Sequence, residues 1–281
     1  MDHNADQIAE WNGVLGERWA QMQGELDVLT RPFGEAALAA AKVSSGEQVI
    51  DVGCGCGDTT LAIARAVGAG GKVLGVDVSA PMLAVAEARR GIANLTQLSF
   101  AEADASSAEL PMGLDLIFSR FGVMFFDAPQ HAFEHLRQTL APGGRMAFCC
   151  WRAPRENPWA MAPLAAARKA VGVETPPADP FAPGPFAFAD PARLDAILTG
   201  AGFHNVDIER FDAPVRLGPG LREAVDNSFS FGPASRFIRE VGEHVLPVVT
   251  PAIEAALTPY VTPDGSVAPP GAVWVVTATR E

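Results

Sequence analysis

The 281-residue chain is 48% hydrophobic and 19% charged, with 33 acids against 21 bases and a formal net charge of −12. That hydrophobic content excludes a solvated, disordered polyelectrolyte, and the acid excess repels a phosphate backbone, so nucleic acid is not an expected partner. No run approaches the roughly 18–20 consecutive apolar residues of a bilayer span, and residues 1–30 carry acids and tryptophans where a signal peptide has its apolar core. No membrane partner is expected, and the expected location is cytoplasmic. Cys54, Cys56, Cys149 and Cys150 form two tight pairs, too few for a disulfide scaffold and without the spacing of a zinc knuckle. Reduced thiols and no metal are the expectation.

Residues 1–43 read as an N-terminal helical cap broken at Gly13, Gly24 and Pro32, with Trp11, Trp19, Met22, Leu26 and Phe33 on an otherwise polar stretch. It either packs on a sheet edge or covers a ligand mouth. From 44 to 152, short apolar runs alternate with helical patterns, the signature of βαβ units. Strands are predicted at 48–52, 72–76, 97–100, 114–118 and 145–150. Helices are predicted at 59–67, 80–90 and 128–140, with Pro142-Gly143-Gly144 turning into the fifth strand. The fold class is therefore α/β, a doubly wound, mostly parallel sheet.

Residues 153–190 form a Pro/Phe-rich insertion containing Pro176-Pro177 and the run from Pro180 to Phe186. So many ring-locked φ angles predict a stiff extended loop rather than a long helix. Residues 191–281 complete the sheet, with a helix at 191–200, a strand at 205–211 and a last strand at 272–279. Between them, about 221–258 is expected to be a helical insertion covering substrate, in pieces broken at Gly232-Pro233, Pro247 and Pro251.

The most informative stretch runs from Val49 to Thr60. An apolar strand enters a turn with glycines at 53, 55 and 57 and then a helix, so backbone can approach a ligand closely at the strand's carboxyl end. The usual dinucleotide fingerprint has its third glycine one residue later. Asp77 ends the second strand about 20 residues on, where a carboxylate can accept both hydroxyls of a ribose. Asp104, after the third strand, can accept an adenine amino group.

These motifs, with Val76-Asp77-Val78-Ser79, Asp104-Ala105, Asp115 to Ser119 and Leu140 to Gly144, resemble the class I S-adenosylmethionine-dependent methyltransferases. The likeness is greatest to their small-molecule branch, which includes the ubiquinone/menaquinone-type and natural-product enzymes. It is dense over residues 46–151 and rests on topology alone from 190 to 281. It implies a Rossmann-like seven-stranded sheet with an antiparallel last strand, and S-adenosyl-L-methionine as cofactor, leaving S-adenosyl-L-homocysteine. It implies that Gly53, Gly55, Gly57 and Thr59 line the methionine and ribose part, with Asp51 near the amino group. Asp77 would hold the ribose and Asp104 the adenine amine, Ser119 would flank the methionine end, and Val78, Met82 and Ala105 would also bind the cofactor. Ser119-Arg120-Phe121-Gly122 stands where enzymes methylating base amines carry an Asn/Asp-Pro-Pro-aromatic loop and where the catechol type carries a metal-binding aspartate. The expected acceptor is therefore a small molecule, methylated without metal.

In-line displacement from a sulfonium requires mainly positioning and exclusion of water. If the acceptor must lose a proton, His244 in the late insertion is the expected base, ahead of His131 and His135. Expected substrate walls are Trp19, Arg120, Phe121, Met124, Trp151 and Trp159, with Phe125, Phe126, Phe186, Phe229 and Phe231, which suggest an apolar or aromatic acceptor. Arg120 and Arg152, the bases nearest the expected mouth, either bind a carboxylate of the substrate or of the methionine moiety or form surface salt bridges. The alternatives are an NAD-dependent oxidoreductase and a non-catalytic adenosylmethionine-binding protein. The acceptor atom and the oligomeric state are not legible.

Overall fold

The opening helical segment does not break everywhere its glycines and proline suggest. In the computed structural model, which describes residues 5–174, 179 and 181–281, Ala5–Asn12 (α1) and Val14–Gln21 (α2) separate at Gly13, but Gln23–Ala41 (α3) runs unbroken through Gly24 and Pro32. Leu26, Leu29, Phe33, Ala37 and Ala41 recur three or four residues apart and are all buried, one apolar stripe laid against the sheet. Pro32 removes a single helical bond, to the carbonyl of Val28, and Val28 is exposed, so water can take the carbonyl over. Packing along the whole stripe outweighs that one loss.

The core follows as Gln48–Val52 (β1), Asp58–Val67 (α4), Lys72–Asp77 (β2), Ala80–Ala93 (α5), Leu98–Glu102 (β3), Leu114–Arg120 (β4), Pro129–Thr139 (α6) and Leu140–Trp151 (β5). The fifth strand begins earlier than predicted. Its pairing with β4 jumps from Leu114↔Leu140 to Leu116↔Arg145, so the Pro142-Gly143-Gly144 turn is carried as an irregularity inside the strand. Pro158–Val171 (α7), Pro191–Gly200 (α8), His204–Pro214 (β6), Leu221–Ser228 (α9), Gly232–Val241 (α10), Leu246–Leu257 (α11) and Pro270–Thr279 (β7) complete the chain.

The expectation of an extended loop after residue 153 is corrected by α7. The prolines cluster later, while 158–171 is alanine-rich, with Pro158 in the first turn, where its missing N–H costs nothing. Averaging composition over the whole insertion hid this helix. Pro176-Pro177 and Pro180 lie outside the described residues. Pro247 and Pro251 do not break the late insertion either: Pro247 opens α11 and Pro251 sits inside it.

Seven strands form one sheet in the order β3-β2-β1-β4-β5-β7-β6. The first five are parallel, and β7 runs antiparallel to both β5 and β6. From β1 the chain steps outward through β2 to β3, then crosses to β4 and steps the other way. Crossovers at this reversal leave opposite faces of the sheet, and a crevice opens at the carboxyl ends of β1 and β4. Among the described residues no helix is long and apolar enough to cross a membrane.

Phe33 joins α3 to the sheet. It is fully buried and meets Trp151, Phe121 and Phe211 edge-on at centroid distances of 5.0, 6.0 and 6.1 Å. Phe33→Ala should cost about 3–5 kcal/mol, read as a fall in the urea midpoint with unchanged slope. A loss under about 1 kcal/mol would show that α3 is peripheral to the core.

Candidate active site

Two backbones nearly touch at the crevice. A Cβ on Gly53 would lie 2.6 Å from the Cα of Gly122, and one on Gly122 would lie 2.5 Å from the carbonyl oxygen of Val52. Gly53 also carries φ +67°, closed to most side chains. The turn is pinned from both sides. The N–H groups of Gly53 and Cys54 donate to the Val76 carbonyl at 2.8 and 3.1 Å, and Ser119 Oγ donates to the Val52 carbonyl at 2.8 Å.

Three residues expected against the cofactor instead build this turn. Asp51 is fully buried beneath it, its Oδ2 accepting from Thr59 Oγ1 at 2.8 Å and Thr60 Oγ1 at 2.7 Å. Ser119 is buried too, and its Oγ accepts from the Gly122 N–H at 3.1 Å. A Cβ on Gly57 would meet Phe100 at 3.0 Å and Ala86 at 3.1 Å, so this glycine lets α4 pack closely and stays off the wall. Sequence spacing places all three near the turn; which side of the backbone they occupy is a tertiary outcome.

The crevice widens into a cavity of about 410 Å³. Of the other residues expected at the cofactor, Gly53, Gly55, Thr59, Asp77, Val78, Met82, Asp104 and Ala105 line it. Asp77 accepts from the Gly55 N–H at 2.7 Å through Oδ2 and from the Ser79 N–H at 2.9 Å through Oδ1, which fixes both oxygens at the rim of the glycine turn. Burial raises its pKa above the ordinary aspartate value. Asp104 Oδ1 is fixed similarly by the Ser106 N–H at 2.9 Å.

Trp19, Arg120, Phe121, Met124, Trp151 and Trp159, expected as substrate walls, also line the cavity, as do Phe125, Phe126, Phe186 and Phe231. Phe121 stacks on Trp151 at 4.4 Å and 8°, and Trp159 lies 4.7 Å from Trp151. The Phe121 backbone sits at φ +64°, rare for a large side chain, and its N–H is held by the Cys149 carbonyl at 3.1 Å. Of the N-terminal helices, α3 packs on the sheet, and residues of α1 and α2, among them Trp11, Leu15 and Trp19, line the cavity. Trp11 meets Trp19 at 5.2 Å and Phe125 at 5.6 Å, both edge-on. Asn12 Nδ2 donates to the Val78 carbonyl at 2.6 Å, and Ser79 Oγ donates to the Trp11 carbonyl at 2.7 Å.

Other expectations are corrected. His244 lies exposed on the short turn Glu243–Val245 and does not reach the wall, because the late helices turn their apolar faces inward and this polar turn outward. His131 is exposed and His135 Nε2 bonds to the Ala108 carbonyl at 2.8 Å, so among the described residues no histidine lines the cavity. His3 lies outside them. Arg152 is 2% exposed but faces away, paired with Asp212 at 2.6 Å and with Glu156. Phe229 is also off the wall, and Arg120, although on it, is held by Asp58 at 2.8 Å.

The structure adds residues that the sequence reading did not assign to the site. Leu15, Asp27, Arg236 and Arg239 line the cavity, as do Cys54 and Cys56. The helical spacing of 232, 235/236 and 239 was the available signal for the two arginines. Burial pushes the Cys56 thiol to about 12 and raises that of Cys54 as well, so neither is a thiolate nucleophile at neutral pH. Among the described residues, no three His, Cys, Asp or Glu side chains are grouped as a metal site.

Residues 49–144 match the family model described as a methyltransferase domain. The chain is 33% identical over 107 residues to demethylmenaquinone methyltransferase of Oceanobacillus iheyensis, a match covering 37% of this chain and 44% of the relative. It is 26% identical over 223 residues to an uncharacterized protein of Mycobacterium tuberculosis, covering 76% and 75% of the two chains. The structure superposes on the YcgJ protein of Bacillus subtilis with a TM-score of 0.59 at 16% identity, over 89% of this chain and 99% of that one, a likeness of fold. The chain thus spans less than half the length of the first relative and three quarters of the second. Residues 49–144 thus carry a methyltransferase domain by likeness to that family model, within a seven-stranded sheet of order β3-β2-β1-β4-β5-β7-β6.

Burial lifts the Asp51 pKa from 3.8 to about 6, against the lowering effect of the Thr60 and Thr59 hydroxyls. Between those values the folded state holds a proton that the unfolded chain has released. Stability therefore falls as pH rises from about 4 to about 6 and is level above. Asp51→Asn should remove this component, so that the variant gains on the wild type by up to about 3 kcal/mol between pH 4 and pH 7 in urea titrations. Parallel pH profiles for the two proteins would show that Asp51 ionises as it does in water.

Proposed function

We propose that this protein transfers a methyl group from S-adenosyl-L-methionine to an apolar or aromatic small molecule. The observation that carries the reading is the continuity of one cavity from the glycine turn and the fixed acceptors Asp77 and Asp104 into a chamber walled by Phe121, Trp151 and Trp159. The residues present fit the cofactor. The Gly53–Cys56 backbone forms a cradle that side chains would fill, since a Cβ on Gly55 would come within 2.7 Å of the Met82 methyl. Asp77 retains acceptor capacity for two ribose hydroxyls, Asp104 is placed for an exocyclic amine, and Val78, Met82 and Ala105 offer an apolar slot.

The bound cofactor supplies a methyl group on a positively charged sulfur, open to in-line displacement. The chain's part is positioning and exclusion of water. The stacked Phe121–Trp151 pair and Trp159 hold an apolar acceptor body, and Trp11, Leu15 and Trp19 close the roof. No histidine of the described residues enters this mechanism. The quinone-type relative supports a small-molecule acceptor, and four free, buried cysteines suit a cytoplasmic compartment.

Calorimetry should show binding of S-adenosylmethionine and S-adenosylhomocysteine but not NAD. A metabolite extract incubated with the protein and methyl-labelled cofactor should yield a labelled product by mass spectrometry. Asp77→Ala should weaken cofactor binding about 10- to 100-fold while the circular dichroism stays that of the wild type. Unchanged affinity would remove Asp77 from the site, and NAD binding in place of the sulfonium would overturn the reading.

A further inference from the structure

The two arginines expected to meet an anionic group are both committed elsewhere, Arg120 to Asp58 and Arg152 to Glu156 and Asp212. A different pair faces the cavity. On α10, Ala234, Phe237 and Ile238 are buried, and the helix packs on α7. Its opposite face, Ser235, Arg236 and Arg239, lines the cavity. Ser235 is buried there while Arg236 and Arg239 are exposed, so this polar face forms the solvent-facing part of the wall beyond the aromatic chamber.

The charges there are unbalanced. Arg239 Nη1 donates to the buried Ser235 Oγ at 2.7 Å, which holds the guanidinium against the wall, and it makes no ion pair among the described residues. Arg18, on the roof helix α2, likewise has no carboxylate partner among them and donates only to the Phe229 carbonyl at 3.2 Å. Arg236 is held by Glu240 at 3.0 Å within its own helix, but both side chains are about two-thirds exposed, at 66% and 62%, so unlike the pairs of Arg120 and Arg152 this is a weak surface pair that an anion can displace. Burial first, and then the neighbouring Arg18, push Arg239 below the ordinary arginine value; Arg236 acts in the same direction, while Glu10 and Glu240 oppose. Glu10 is the carboxylate of that group on the cavity wall, whereas Asp27, Asp77 and Asp104 belong to the α3, β2 and β3 side. Three guanidinium groups, Arg18, Arg236 and Arg239, thus stand against two carboxylates, Glu10 and Glu240, a local excess of positive charge in a chain of net charge −12.

Resting on the methyl-transfer reading, we infer that the acceptor carries an anionic head, a carboxylate or phosphate, bound by Arg239 and Arg236, with its apolar body against Trp159 and Phe231. Guanidinium groups donate in the planar geometry that such oxyanions accept, and an anion there would relieve the repulsion between Arg239 and Arg18. The arginines thus select the acceptor and orient its far end, leaving the opposite end toward the glycine turn.

The test uses the full chain with saturating S-adenosylhomocysteine and two matched pairs of probes in calorimetry: 2-naphthoate against 2-naphthamide, and octanoate against octanamide. At least one anion should bind about tenfold or more tightly than its amide. That preference should fall several-fold in Arg239→Gln and in Arg236→Gln, both exposed positions, and should weaken with added salt. Equal affinity of acid and amide in both pairs, including failure of all four to bind, overturns the inference, as does a preference that survives both substitutions. The cofactor titration separates the two readings. S-Adenosylhomocysteine binding without anion preference leaves the transferase reading standing, and an arginine-dependent anion preference without such binding refutes the cofactor and keeps the anion site.

Discussion

The contact between the Gly53 and Gly122 backbones governs the rest of the site. With a Cβ at either position the chains leaving β1 and β4 would be forced apart, since the nearest atoms lie only 2.6 and 2.5 Å from where those carbons would be. Because neither carries a side chain, Ser119 can reach across to the Val52 carbonyl and Asp51 can be sealed under the turn by two threonine hydroxyls. The turn presents backbone to the crevice, and the carboxylates that face the crevice, Asp77 and Asp104, come from the neighbouring strand ends. A rigid, preorganised floor of this kind is what positional catalysis requires.

Above that floor the walls are assembled from segments far apart in the chain. Phe121 is held in a left-handed conformation by the Cys149 carbonyl and stacks on Trp151 one strand over; Phe33 from α3 braces both rings from the side. The same helix that stabilises the sheet therefore also sets the aromatic chamber. Its neighbours α1 and α2 are attached differently, through Asn12 and Trp11 to the segment Val78–Ala80 and through Arg18 to the Phe229 carbonyl. These are a few polar bonds and edge-on ring contacts rather than a continuous apolar stripe, the kind of attachment that can open locally without unfolding the core.

Electrostatics divide the cavity along the same lines. Acids gather on the β2 and β3 side, where hydroxyl and amine donors of a nucleoside would lie, and arginines on the α10 side. The ionic cluster Asp27–Arg89–Asp58–Arg120 joins α3 to α5, α4 and β4, with Arg89 Nη1 also donating to the Cys56 carbonyl at 2.8 Å. Arg120 is thereby a structural tie that also lines the cavity.

The sequence alone determined the α/β class, the strands and helices of the 44–152 core and the location of the glycine turn. These depend on short-range signals: apolar runs of strand length, helical spacing, glycines at 53, 55 and 57, and an aspartate at the next strand end. Proline was the weakest guide. Pro32, Pro163 and Pro251 each stand inside a helix, because the local loss of one backbone bond is small beside the burial of a whole helical face. Only the tertiary structure decided which side of the backbone each residue serves. Asp51 and Ser119 went under the turn and His244 to the surface, whereas Arg236 and Arg239 came to the cavity wall. Spacing along a chain fixes which residues share a strand or a helix face, but the direction in which that face points is set by what the element packs against, and for α3 and β7 those partners lie more than two hundred residues apart.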